Sequence, residues 1–525
     1  MTFAAPALAL AGLGIFWVSG FRDRISSDAA ATLLLARHML NTHAWLPPDW
    51  YYANGDIWIV GPQLFALPFV AYWGVTPLAL ACANALGLGC VFGSALVLAR
   101  VICRRTAAAA LVAVSCIALY SHFQREFVVM QLSYGWMAAK LMLLLSLVVL
   151  WMRSAEGAAA RSRRLALLAG YAALLTVWAA ENPLRPAAYL VIPLAASLAV
   201  NTARQPASRH RAGVLAVATL LAMIAGWLLH RRLAASLLMA PGLEAFRLAP
   251  VAEWPLHLRL LAEGMRHIYG GDPLGAPQAL MLDRMLGWVR AASVPCLLML
   301  FVREGLMRAS APTTARLPVQ VACAGIGVVT AALVAGSIMV DAVSARYLIP
   351  VWMLALVVLA AACVRNIATW PWLAGLLTLA FPLGGLVNAM NIRNAHSSVD
   401  AAGLPHPPAL DAAIAALNGS GFTHGFASHR YANAIDVRSG DKLRACDLLV
   451  APEVRPLRFF NARACFDRVL YADGFFVLLA PEMRDARSIA KLRETIGVPY
   501  RVIDVEECQI WLYPEGSGDL GWLVR

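Results

Sequence analysis

Hydrophobic residues in this chain fall in long, nearly uninterrupted runs rather than at the spacing of a half-buried element. Such runs lie near residues 3–20, 76–99, 106–120, 130–152, 165–180, 186–200, 212–230, 291–303, 318–340, 347–364 and 369–390. Several approach the roughly 20 residues a helix needs to cross a bilayer. Helix is the form expected of such a run, because lipid offers no partner to an unpaired backbone group. The run at 291–303 is short for a span. A further run at 57–73 sits at the lower limit of about 17 residues. It contains Gly61, Pro62 and Pro68, and so predicts an interfacial or re-entrant helix.

Two polar stretches interrupt the helices. The first, 21–56, opens with a helix-like run over 27–40, with Ser26 or Ser27 as its cap, and ends in the aromatic segment WLPPDWYY at 45–52. The second, 231–290, alternates apolar and charged residues at helical spacing, as a helix lying along a membrane surface does. After residue 390 the pattern changes. Helical runs near 408–418 and 485–496 mix with short β-rich runs at 448–451, 475–479, 500–505 and 510–513, punctuated by Gly and Pro. The expectation is an α-helical polytopic membrane protein of about eleven spans with a small C-terminal α/β soluble domain. Residues 1–390 would form the transmembrane domain, with external loops 21–56 and 231–290, and residues 391–525 the soluble domain.

Composition supports this reading: of 525 residues 60% are hydrophobic and only 14% charged, too little polar surface for a water-soluble chain of this length. The net charge of +13 would suit nucleic acid, but its distribution argues otherwise. Residues 1–390 hold 28 Lys and Arg against 14 Asp and Glu, whereas 391–525 hold 15 against 16, so the excess lies between hydrophobic segments. With eleven spans and a cytoplasmic N-terminus, 14 arginines fall in cytoplasmic connections and six in the short opposite ones, which places the C-terminal domain outside. Twelve spans with an external N-terminus is a second arrangement compatible with the charges. Residues 1–21 lack a basic leader and a cleavage signal, and read as a retained first helix. Seven of the ten cysteines lie in or beside apolar segments. Cys446, Cys465 and Cys508 lie in the soluble part without a CxxC pair, which argues against zinc and allows one disulfide in an oxidising compartment.

Asp28 is the first candidate for chemistry, because it opens a helix just after the first span. Its carboxylate could equally serve as a favourable N-terminal helix charge. Lys140 stands inside an apolar run, where an ammonium needs a phosphate, an internal partner or a route to the interface. Glu126 beside Arg125, and Glu181 and Arg185 around Pro183, stand at the external ends of other spans. Trp45, Trp50, Tyr51 and Tyr52 could stack on sugar faces or form an interfacial aromatic belt.

The order of these features resembles the GT-C superfamily of membrane glycosyltransferases, which take sugar from polyprenyl-phosphate donors and include protein mannosyltransferases and lipid A aminoarabinose transferases. The segment DAAATLLLARHML at 28–40 resembles the acidic start of the family's first external loop. Residues 57–73 resemble its juxtamembrane helix, LARVICRR at 98–105 the basic end of its second span, and RYLIP at 346–350 an Arg-Tyr motif at the mouth of a late span. The resemblance implies Asp28 as general base, and Arg346, Tyr347 and Lys140 as ligands of the donor phosphate, with Trp50, Tyr51, Glu126 and Arg185 as further substrate contacts. It implies a polyprenyl-phosphate-linked sugar, a glycan, lipid or protein acceptor, and a bacterial inner membrane as partners and place. Many members carry two adjacent acids in the first loop. Here the run is Ser26-Ser27-Asp28, with Asp23 five residues earlier, so no cofactor is expected and a divalent metal is left open. A transporter and an inactive scaffold are the rival readings; the first lacks the internal repeat it would call for.

Overall fold

A computed structural model describes residues 4–19, 21, 25–103, 121, 123–154, 158–205, 209–240, 247–269, 281–300, 302–303, 313–365, 379–387, 389–390, 407–450, 453–517 and 520–524. Seven helices among them are long and apolar enough to span a membrane: Pro77–Cys103, Ser133–Arg153, Arg161–Glu181, Leu184–Arg204, Arg209–Ala234, Arg316–Ala335 and Ala342–Val364. Each coincides with a predicted run. The first run forms the shorter helix Ala4–Ser19 of 16 residues, and 291–303 carries only the 8-residue helix Ser293–Leu300. The run at 106–120 and most of 369–390 lie outside the described residues. Residues 57–73 contain the 11-residue helix Gln63–Trp73, about 16 Å long and too short to cross.

The chain divides into two compact units, one of Met1–Ser19, Gly87–Arg232 and Glu244–Ala395, the other of Gly20–Leu86, Leu233–Leu243 and His396–Arg525. In the first unit, Ser133–Arg153 and Ala342–Val364 are the most enclosed spans, with 78% and 89% of their apolar stretches buried. Arg209–Ala234, at 28%, turns Val217, Leu220, Leu221 and Leu228 outward, where lipid would meet them. It is held by a close approach: a Cβ on Gly226 would lie 2.5 Å from Ala179 Cβ and 2.6 Å from Thr176 O. Apolar side chains gain little by leaving lipid for a neighbouring helix, so small residues and interhelical hydrogen bonds fix such a contact. The hydroxyls of Tyr171 and Thr219 bond at 2.8 Å, and Thr176 Oγ1 donates to Ala222 O at 3.3 Å.

The second unit is built on short pieces. Ser26 caps helix Ser27–Thr42 by accepting from Ala29 N, and the left-handed His43 (φ 52°) ends it. Two short strands, β1 (Tyr51–Tyr52) and β2 (Leu238–Met239), pair in parallel. The remaining strands are β3 (His424–Ala427), β4 (Arg444–Leu449), β5 (Arg455–Pro456), β6 (Gly474–Leu479), β7 (Arg501–Val505) and β8 (Cys508–Pro514). They form one mixed sheet in the order β5-β4-β3-β6-β8-β7, parallel across β4-β3-β6 and antiparallel elsewhere. Every residue of β6, GFFVLL, is buried, as an unbroken apolar strand covered on both faces must be. Cys446 and Cys465 form a disulfide, and Cys508 is a free, buried thiol.

Candidate functional site

In the first unit the chemistry gathers around a 3-10 turn, Ala342–Leu348. Asp341 starts this turn by accepting from Ser344 N at 2.8 Å and Ser344 Oγ at 2.9 Å. Helix Trp254–Tyr269 lies on it through Gly264, where a Cβ would stand 2.3 Å from both Ala342 O and Ala345 Cβ. The turn presents Arg346 and Tyr347. Arg346 Nε donates to the Tyr134 hydroxyl at 3.0 Å, and its guanidinium lies 5.6 Å from the centres of the Phe127 and Tyr347 rings. Arg185 approaches the same Tyr347 ring at 5.9 Å. Two guanidiniums about one phenol, each oriented by an aromatic face, form a planar, always-charged donor array of the kind that recognises phosphate.

Lys140 and Glu126 are held differently. Lys140, 4% exposed, is ion-paired and hydrogen-bonded to Glu181, and sits 5.7 Å from the Trp136 ring. A buried ammonium without such a partner would cost several kcal/mol. Glu126, also buried, accepts from Gln131 Nε2 at 3.0 Å within the π-helical turn Gln124–Met130. Single π-turns interrupt α-helices frequently at functional sites. A second lies at Ala187–Val191, directly after the turn Leu184–Pro186 that carries Arg185.

In the second unit Asp28 stands in the first turn of helix Ser27–Thr42, its side chain 40% exposed. Asp28 Oδ1 accepts from His429 Nε2 at 3.1 Å, and the other ring nitrogen, Nδ1, donates to Asp447 Oδ2 at 3.1 Å. Asp447 lies on β4 with no exposed surface, and the same Oδ2 accepts from Asn461 Nδ2 at 2.9 Å. Burial by itself would lower the pKa of His429. The Asp447 charge, followed by the bonds to Asp28 and Asp447, outweighs it and holds the imidazole well above its ordinary 6.5. Burial pushes the Asp447 carboxyl up, opposed chiefly by His429. The imidazolium is the form this geometry calls for, because both nitrogens face carboxylate oxygens. The ring separates the two acids, so the three groups do not converge on a metal, and no group of three metal-ligating residues occurs among the described residues.

The neighbouring aromatic segment is bound to the C-terminal sheet region. Tyr51 N donates to Asn461 O at 2.8 Å, Phe460 N to Tyr51 O at 3.1 Å, and Arg463 N to Asp49 O at 2.7 Å. Trp50 is only 3% exposed and packs on His38, while the half-buried Tyr51 meets Phe466 edge-on. Trp45, 54% exposed, bonds through its indole N–H to Ile59 O. Asp23 lies outside the described residues.

Sequence reasoning brought Arg346, Tyr347 and Arg185 forward, and the structure groups them. It did not find Tyr134, His429, Asp447 or Asn461. His429 is 401 residues from Asp28 along the chain, and no spacing rule links them. The available signal was a histidine directly after a short apolar run ending at Ser428, which on its own marks nothing.

The chain has a GT-C-like fold. Two solved structures share it across nearly the whole chain. They are ArnT from Cupriavidus metallidurans in the apo state (TM-score 0.53) and the same protein bound to undecaprenyl phosphate (TM-score 0.56). Each match is 12% identical and covers 96% of this chain and 97% of the other, a likeness of fold. No family model matches the sequence, and no curated protein matches it at a significant level.

Proposed function

We propose that this protein is a membrane glycosyltransferase that moves a sugar from a polyprenyl-phosphate donor to an envelope glycan, lipid or protein acceptor. The observation that carries the reading is the GT-C-like fold, held over 96% of the chain in common with an ArnT structure containing undecaprenyl phosphate. Arg346, with Arg185 and the Tyr347 ring between them, is assigned to the donor phosphate. Asp28 is assigned as the general base. It takes the proton of an acceptor hydroxyl while that oxygen bonds to the anomeric carbon. The bond from that carbon to the phosphate oxygen breaks, and polyprenyl phosphate leaves with the bonding pair. Charge grows on the leaving phosphate, where prearranged guanidiniums stabilise it. A carboxylate suits the proton transfer.

The reaction is assigned to the periplasmic face of a bacterial inner membrane, with the N-terminus cytoplasmic and residues 391–525 outside. The arginine bias of the loops supports this, and so does the Cys446–Cys465 disulfide, a bond kept in oxidising compartments. Complementation tests the assignment. Envelope glycans of a deletion strain are compared by mass spectrometry after restoring the native protein or Asp28→Asn at matched membrane levels. The native protein restores a missing sugar and Asp28→Asn does not. Full restoration by Asp28→Asn removes the base assignment.

A further inference from the structure

We propose that His429 is a positioning residue for Asp28, so that the C-terminal segment completes the reacting end of the protein by holding and charging the base. This rests on the reading of Asp28 as that base. Three observations carry it. The imidazole bonds Asp28 Oδ1 and Asp447 Oδ2 through its two nitrogens, each at 3.1 Å, which fixes the rotation of the Asp28 carboxylate. The ring is in turn fixed from behind: Asn461 Nδ2 holds Asp447 at 2.9 Å and Phe459 O at 3.1 Å, and the Phe459 ring meets the imidazole edge-on at 5.0 Å. Asp447 is fully enclosed and its Oδ1 has no hydrogen-bond partner among the described residues, so its charge is compensated at Oδ2. A carboxylate in that position requires a cation beside it.

The charge arithmetic explains how a base survives next to an imidazolium. A cation bonded to Asp28 alone would lower its proton affinity. Here Asp447 offsets that cation, and the trio of two carboxylates and one imidazolium keeps a net charge of −1, so an incoming proton still meets a negative cluster. The charged groups beside His429 among the described residues include Arg430, its chain neighbour, and Glu482, which accepts from Ser428 at 3.0 Å. The lock on Asp447 and Asn461 is itself stapled. Cys446 precedes Asp447, Cys465 follows Asn461 by four residues, and the disulfide joins them.

Two variants push Asp28 in opposite directions. His429→Gln removes the cation and leaves two carboxylates facing one another, which raises the pKa of Asp28. Asp447→Asn leaves an imidazolium without its counter-charge and lowers it. Dicyclohexylcarbodiimide, which modifies protonated carboxyl groups, reports this on the purified full-length protein as the pH midpoint of Asp28 labelling, read by peptide mass spectrometry. The expected shifts are about one pH unit or more, a tenfold change in protonation, upward for His429→Gln and downward for Asp447→Asn. Both variants also restore less envelope sugar in the deletion strain. His429→Asn replaces His429→Gln if the latter does not accumulate in the membrane. Unchanged labelling midpoints in both variants overturn the proposal. Full complementation by Asp28→Asn overturns the base reading instead, while the labelling arm still measures the hold of His429 on Asp28.

Discussion

Asp436 offers a test of how burial acts in the C-terminal sheet region. It lies in helix Ala432–Arg438, is 5% exposed, and its Oδ1 accepts from Ala445 N at 2.8 Å. Burial raises its pKa from 3.8 to about 7, against the Ala445 N–H and the charges of Arg37 and Arg444, which pull it down. Well below pH 4 the carboxyl is neutral in folded and unfolded chains alike, and it adds no pH dependence. As pH rises the unfolded chain ionises first, so stability is lost until the folded group also ionises near pH 7. The full loss is about 4 kcal/mol, of which about 3 kcal/mol falls between pH 5 and pH 8. Asp436→Asn keeps an oxygen to accept from Ala445 N and never ionises. The advantage of the variant over the native protein should therefore grow by about 3 kcal/mol across that window, roughly a hundredfold in opening constant. Hydrogen exchange followed by mass spectrometry on peptides covering residues 432–450, corrected for intrinsic rates, measures the opening free energy in the full-length protein. An advantage that does not change with pH refutes the reasoning.

Arg346→Lys keeps the charge but loses the planar fork and the Nε bond to Tyr134. Binding of undecaprenyl phosphate to the detergent-purified variant should weaken about tenfold or more, and equal affinity would show that Arg346 does not grip phosphate. Replacing both Cys446 and Cys465 with Ser releases the staple beside Asp447. It should cost about 2–4 kcal/mol of local stability by opening a loop across 19 positions. Alkylation of the native protein with and without reduction counts the two protected thiols, and alkylation of both without reduction removes the pairing.

Much of the helical part was determined by the sequence itself. An apolar run of spanning length has one backbone solution in lipid, so the seven long helices follow from runs such as 212–230 and 347–364 without any knowledge of their neighbours. Helix Ser27–Thr42 was equally legible from its Ser cap, and helices Pro407–Asn418 and Ala486–Ile496 and strands β6 and β8 from their local patterns. Strand β3 and helix Ala432–Arg438 escaped, because four and seven residues are too short for a period to show. What only the tertiary structure decided is which polar groups meet. Lys140 reads as a lone charge until Glu181 is found beside it on another helix, and Trp50 reads as a surface aromatic until its burial against His38 is seen. The pairing of Asp28 with His429 lies furthest from the sequence. A hydrogen bond acts over about 3 Å of space and carries no trace of the 401 residues between its partners.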